Sequence, residues 1–201
     1  MKTLIYLLIS LGAILNNLSF AQVSCIKGGQ NILNVYYGTD FTKRSMEIYY
    51  EGYEDLKVTG TGNLGAIFEH VITKRFGFGG EFGYSNAKAT FKVTPYIPVS
   101  KMESYTYTYN YTHIRAQLRL NFYFLSTKNY NAYGFVNGGY SNYIYSSESN
   151  FPGAVNSSQS SKIPFGIKTG LGIRYISDQL GLFVEMALGT PLMSIGLCAK
   201  F

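Results

Sequence analysis

The chain has 201 residues, with 17 basic and 11 acidic side chains and a formal net charge of +6. That length suits one domain of moderate size, and the mild, scattered positive excess builds no Lys/Arg-rich face and gives no case for nucleic acid as a partner. The 19 Tyr and 22 Gly without any Trp point instead to many strands and tight turns.

The chain begins MKTLIYLLISLGAILNNLSFAQ. Lys2 supplies a short positive start, Leu4 to Leu15 is an apolar run, and Ser19 and Ala21 place small residues at the −3 and −1 positions of a cleavage site. This is the pattern of a secretory signal peptide over residues 1–21, and its apolar run is too short to cross a bilayer as a helix. The domain to be folded is then 22–201. A lipoprotein signal ending at Cys25 is the rival reading, but the preceding Gln22-Val23-Ser24 lacks the aliphatic residue expected three positions earlier. No later stretch approaches the ~20 apolar residues of a membrane helix.

Beyond the leader, period-two alternation recurs and predicts eight strands, at about 30–38, 58–72, 76–86, 105–124, 132–145, 164–176, 181–189 and 192–201. No segment shows a helical period. The connections are unequal. Those at about 39–57, 87–104 and 146–163 are long, whereas 73–75, LSTKNYN at 125–131 and SDQLG at 177–181 are short. Only the connection around Thr190-Pro191 is short where the alternation calls for a long one. Long loops at one end and short turns at the other are the asymmetry of outer-membrane barrels, and an even strand number returns both ends of the domain to the periplasmic side.

Six strands separate into two faces. Strand 2 sets Leu64, Ala66, Phe68 and Ile72 against Asn63 and Glu69; strand 3 sets Phe76, Phe78, Phe82 and Tyr84 against Gly77, Gly79, Glu81, Gly83 and Ser85. Strand 4 sets Ile114, Ala116, Leu118, Leu120, Phe122 and Phe124 against His113, Arg115, Gln117, Arg119 and Asn121. The last three strands set apolar residues against Lys168 and Arg174, Glu185, and Lys200 respectively, with Gly interspersed. Strands 1 and 5 are ambiguous. A soluble lipocalin-like barrel or sandwich would alternate in the same way with its apolar face inward. Against that stand the small residues and opposed charges of the polar face, which suit a narrow lumen, and the aromatics gathered near strand ends, as interfacial girdles require. Glu69, Glu81, Arg115, Arg119, Lys168, Arg174, Glu185 and Lys200 are therefore expected to form a lumen charge network, because charges buried there need partners or water. A lumen so packed argues against a wide pore.

Residues FAQ at 20–22, NVYYG at 34–38, FGFGGEFGYS at 76–85, GIKTGLGIRY at 166–175 and GTPLMSIGLCAKF at 189–201 resemble the small eight-stranded outer-membrane barrels of the OmpA/OmpX type, and especially the outer-membrane β-barrel proteins of Bacteroidota. The resemblance spans nearly the whole domain. It implies an all-β, eight-stranded, antiparallel up-and-down transmembrane barrel in the bacterial outer membrane. It implies outer-membrane lipid and lipopolysaccharide as surroundings, and the barrel-assembly machinery as a partner that reads the terminal Phe201. Phe201 also reads as a plain aromatic anchor. The function expected is non-enzymatic: envelope structure, surface exposure or adhesion, with an extracellular partner met through the long loops. A narrow pore or ligand-binding barrel and a lipid-modifying enzyme are the alternatives.

Candidate chemistry is thin. Lipid A deacylases of similar architecture use an H-x-S pair with a carboxylate, but here His113 precedes Ile114-Arg115 and His70 precedes Val71-Ile72. By parity His113 points into the lumen as a hydrogen-bonded filler and His70 lies on the lipid side near the periplasm. Asp40, Glu47, Glu51, Glu54 and Asp55 share the first long connection, in a spacing that matches no calcium loop. No metal or cofactor is expected. Tyr36, Tyr37, Tyr49, Tyr50 and Tyr53 offer rigid contact area to a partner; Lys88, Lys92 and Lys101, near the second long connection, are candidates to approach lipid phosphates at the outer leaflet, with scattered solubilising charge as the alternative. Cys25 and Cys198 are the only cysteines. They stand near the closing seam of the barrel, where a disulfide would staple the first strand to the last; two separate thiols are the alternative.

Overall fold

The computed structural model describes residues 25–39, 41–94, 104–152 and 156–201. The expected signal peptide, Asp40 and Lys101 lie outside the described residues. The strands are β1 (Asn31–Gly38), β2 (Glu54–Val71), β3 (Phe76–Val93), β4 (Tyr105–Ser126), β5 (Tyr130–Ser149), β6 (Ser157–Ser160), β7 (Phe165–Ser177), β8 (Leu180–Leu188) and β9 (Met193–Lys200), with one helix, α1 (Phe41–Tyr49), between β1 and β2. All pairings are antiparallel. The strand order β4-β3-β2-β1-β9-β8-β7-β5 is closed by a further β4–β5 ladder, giving an eight-stranded barrel. The seam joins β1 to β9, with Val35 opposite Leu197. The ninth strand, β6, pairs the far end of β5, where Ile144 faces Ser160. It takes the place beside β5 that β7 leaves when its pairing stops at Tyr140–Phe165.

The barrel is apolar outside and polar inside. Along β4 from His113 to Tyr123 every inward residue is buried, and the outward ones from Ala116 onward are exposed, with Leu118 65% accessible. The same outward face carries Phe68, Phe78, Phe82, Ile167, Leu171, Leu182 and Ile195 around the wall. A continuous apolar band on the outside of a closed sheet is what a bilayer requires. Aromatics mark its lower edge: Phe76 meets Phe122 at 5.3 Å and Tyr130 meets Tyr175 at 5.0 Å. The two strands the sequence left ambiguous resolve in the same sense. Leu33, Val35 and Tyr37 of β1 face out while Ile32, Asn34 and Tyr36 face in; Tyr133, Phe135 and Asn137 of β5 face in.

Two of the tight turns share one device. Thr73 Oγ1 accepts from the amide of Phe76 at 3.1 Å, and Thr127 Oγ1 accepts from the amide of Tyr130 at 3.1 Å. These side-chain bonds imitate a backbone turn and fix the hairpin ends.

Two connections differ from the sequence reading. The first long one contains α1, whose four-residue spacing is too short to register as a period in a nine-residue segment rich in polar groups. The strands beside the long loops also run further than expected: β2 starts at Glu54, β3 reaches Val93 and β5 reaches Ser149. Their outward faces turn polar there, so apolar alternation gives no sign of them. The result is a lopsided molecule. Strands β2 to β5 stand well above the apolar band, whereas β7, β8, β9 and β1 end near it.

Candidate functional site

The lumen is filled by one hydrogen-bonded ionic assembly. Its centre is Glu81 on β3. Glu81 Oε1 accepts from Lys168 Nζ at 2.9 Å and from Tyr36 Oη at 2.7 Å; Oε2 accepts from Arg119 Nη1 at 3.3 Å and from Asn137 Nδ2 at 2.5 Å. Arg119 also donates to Glu185 Oε1 at 2.7 Å through Nη2 and to Asn121 Oδ1 at 2.9 Å through Nε. Tyr133 Oη donates to that same Glu185 oxygen at 2.7 Å. The Arg119 guanidinium lies 3.9 Å from the centre of the Phe135 ring and is only 1% exposed. Four strands on different sides of the barrel thus meet on two carboxylates. Such a site retains its charges only because each has several partners.

A second pair lies nearer the short turns, where Arg174 Nη2 donates to Glu69 Oε2 at 3.0 Å and its guanidinium sits 4.8 Å from the Tyr133 ring centre. Towards the long loops, Arg115 Nη2 donates to Tyr36 Oη and to Asn63 Oδ1, both at 3.1 Å, and its Nη1 donates to the Thr190 carbonyl. Thr190 belongs to the short β8–β9 connection, the one that broke the alternation of loop lengths. The reason is now visible: this turn folds over the lumen as its upper lid.

Glycine on the inward face makes this packing feasible. A Cβ on Gly83 would overlap the Arg115 guanidinium, and one on Gly77 would overlap Glu69 Oε1 and lie 2.8 Å from Tyr123 Oη. Gly65 and Gly172 leave room in the same way for the rings of Tyr36 and Tyr133. Arg115, Tyr36 and Tyr133 each lie over a glycine of a neighbouring strand.

Lys200 is a correction to the expected network. It is half-buried at the rim, and its Nζ donates to the Cys25 carbonyl at 3.1 Å and to no lumen carboxylate. The seam disulfide is a second correction, since Cys25 and Cys198 are both buried free thiols. The first strand starts only at Asn31, and the chain before it turns inward. The Cys25 amide donates to the Thr127 carbonyl at 2.7 Å and its sulfur lies 3.8 Å from Ser126 Oγ, both at the β4–β5 hairpin, while its carbonyl reaches Lys200 of β9 on the other side. Burial pushes the Cys25 thiol above its ordinary pKa. Ile26 packs with Ile32, Val71, Tyr123 and Ile176 in a buried apolar cluster. Residues 25–26 therefore plug the short-turn end of the lumen.

His113 faces the lumen and is buried; its Nε2 lies 2.9 Å from Ser141 Oγ and its ring stacks on Tyr143 at 3.9 Å. No carboxylate among the described residues bonds its other ring nitrogen. His70 points outward at the rim, 2.8 Å from Asn31 Oδ1. The acids of the first connection are dispersed: Glu47 pairs with Arg44 at 3.6 Å and Asp55 with Lys92 at 2.6 Å. Asp55 raises the pKa of the Lys92 ammonium, which it holds by hydrogen bond and charge. Among the described residues no group of three or more His, Cys, Asp or Glu is placed to hold a metal ion.

Above the band the inward face of the barrel changes character. Tyr107, Tyr109 and Tyr111 of β4 continue the parity of His113 and Arg115, and α1 packs against β2 and β3 beside them. Tyr50, just after the helix, stacks on Tyr109 at 5.3 Å and on Phe91 at 4.8 Å; Tyr111 meets Tyr145 of β5 edge-on at 4.9 Å. Burial raises the phenol pKa of both Tyr50 and Tyr111. Between α1 and the β4–β5–β6 wall lies an open cavity of about 550 Å³. Sequence reasoning missed this vestibule, although the alternating Tyr of residues 105–111 was its visible signal.

The chain matches the family model described as outer membrane protein beta-barrel domain over residues 20–195. No curated protein matches it. Among solved structures it is similar to Ail, the attachment invasion locus protein of Yersinia pestis, crystallised with the heparin analogue sucrose octasulfate (12% identity, 87% of this chain and 99% of that one, TM-score 0.41). It is also similar to the N-terminal β-barrel domain of Pseudomonas aeruginosa OprF (8% identity, 88% and 100%, TM-score 0.42) and to OprG from Pseudomonas aeruginosa (13% identity, 87% and 97%, TM-score 0.44).

Proposed function

The chain belongs to the outer membrane protein beta-barrel domain family and resides in the bacterial outer membrane, and from that premise we propose that it is a non-enzymatic, surface-facing recognition barrel, closed to solute flow. The observation that carries this reading is the contrast between a lumen obstructed at every level and a built structure above it. The apolar plug at Cys25–Ile26, the Glu81–Arg119–Glu185 centre and the Thr190 lid lie in series. Beyond them, four extended strands and a helix enclose the tyrosine vestibule. Strands carried past the membrane serve contact with the outside, since a spanning strand needs only ~9–11 residues.

The non-enzymatic part of the proposal is supported by the only serine–histidine contact found among the described residues. His113 and Ser141 are buried in the lumen without a carboxylate to orient the ring, which a nucleophilic site requires. The barrel-assembly machinery would read the exposed aromatic Phe201 at the end of β9, paired through its amide to the Asn31 carbonyl at 3.0 Å. Outer-membrane lipid and lipopolysaccharide would surround the apolar band. Cells lacking the protein test the reading: attachment to surfaces should fall while uptake of small solutes stays unchanged. Reduced uptake with unchanged attachment would favour a pore.

A further inference from the structure

The vestibule is a site with a definite chemistry. We infer that it binds a neutral saccharide, held between the exposed face of α1 and the tyrosine wall of β4 and β5; this deepens the surface-recognition reading and rests on it. The helix contributes Thr42, Ser45, Met46 and Tyr49 to the lining. Their spacing of i, i+3, i+4 and i+7 puts them on one side of the helix. The charged residues of the helix turn away and pair with each other, Lys43 and Arg44 with Glu47. Across the cavity stand Tyr111 and Tyr145, with Ser147 and Gln159 beyond them.

Three features select the ligand class. No lining residue among the described residues is charged, so an anionic or cationic ligand would lose its hydration there without gaining a counter-charge. The lining combines aromatic rings with hydroxyl and amide groups, which suits a molecule that has apolar C–H faces and a rim of hydroxyls, as a pyranose ring does. Finally, the rings are held before any ligand arrives. Tyr111 is fixed by Tyr143 and Tyr145, and Tyr50 by Phe91 and Tyr109. Tyr49 is 78% and Tyr145 51% exposed, which leaves one ring on each side of the cavity open for stacking. Preorganised aromatic contact area limits the ordering cost of binding.

The test uses the full-length protein in detergent micelles or nanodiscs, titrated with neutral hexasaccharides (maltohexaose, cellohexaose and a mannohexaose) and with dextran sulfate as the anionic control. At least one neutral probe is expected to bind with an affinity that changes less than twofold between 50 and 500 mM NaCl, roughly as expected for an interface without ion pairs. Tyr145→Ala and Tyr49→Ala should each weaken it about tenfold, the scale of a lost aromatic contact, with heat-dependent gel migration unchanged as evidence of an intact barrel. Failure of all three neutral probes, binding only of the sulfated polymer, or binding that survives both substitutions would overturn the inference. Loss of the heat shift or appearance of conductance in the same preparation would count against the closed-barrel reading instead, so the two failures are separable.

Discussion

Strand β4 passes through two regions on a single inward face, and they are built differently. Below Thr112 that face is His113, Arg115, Gln117, Arg119 and Asn121; above it is Tyr105, Tyr107, Tyr109 and Tyr111. Inside the bilayer the wall is closed on all sides, and charged groups are held by several partners each. Above the bilayer only four long strands remain, and aromatic stacking on α1 and Phe91 replaces ionic bonding. The outward face changes at the same level in the opposite sense, from Ile114 and Leu118 to Thr108 and Asn110. One alternating pattern can thus serve two solvents, and the residue types on both faces must be read together to find the boundary.

The sharpest way to break this comparison is to remove the centre of the lower region. Glu81→Ala leaves Lys168 and Arg119 buried with one carboxylate fewer, and should destabilise the barrel by about 3–5 kcal/mol, the scale for stranding a buried charge. Urea unfolding in micelles measures it. Adding Lys168→Ala should recover part of the loss; no recovery would show that the two groups are not coupled. A smaller effect is expected from Gly83→Val, which drives a side chain into the Arg115 guanidinium and should cost about 1–3 kcal/mol as an overpacking change. An unaltered unfolding midpoint would mean that Arg115 has another resting place.

In the upper region the effects should stay local. Tyr50→Ala removes the ring that ties α1 to Phe91 and Tyr109, so amide exchange should accelerate over Thr42–Tyr49 while Leu118–Phe122 keeps its protection. Equal acceleration in both would erase the distinction between the regions. The smallest effect belongs to Asp55→Asn. The Asp55–Lys92 pair is solvent-exposed, and exposed pairs contribute little, so the unfolding midpoint should not move measurably.

Much of this was legible in the residues. Eight strands, the lipid face and the inward placement of Glu81, Arg115, Arg119, Lys168, Arg174 and Glu185 follow from period-two alternation, which is strong wherever apolar and charged residues oppose each other. Tyr36, expected as contact area for a partner, instead lies buried on Glu81, and Tyr133 and Phe135 did not emerge, because the residues of β1 and β5 give their parity little contrast. Lys200 and Cys25 were misplaced for another reason. Parity says which way a side chain points, but not where a strand stops and the chain turns into the lumen. The extended tops of β2, β3 and β5 were hidden by outward faces made polar by water, the same cause that marked the boundary so clearly on β4.

On the proposed function, the plug, the Glu81–Arg119–Glu185 centre and the Thr190 lid together shut the lumen. Planar-bilayer recording on the purified full-length protein tests this closure directly. A closed lumen predicts no sustained current across membranes into which heat-modifiable protein has inserted; a steady, reproducible open level from the same preparation would contradict it.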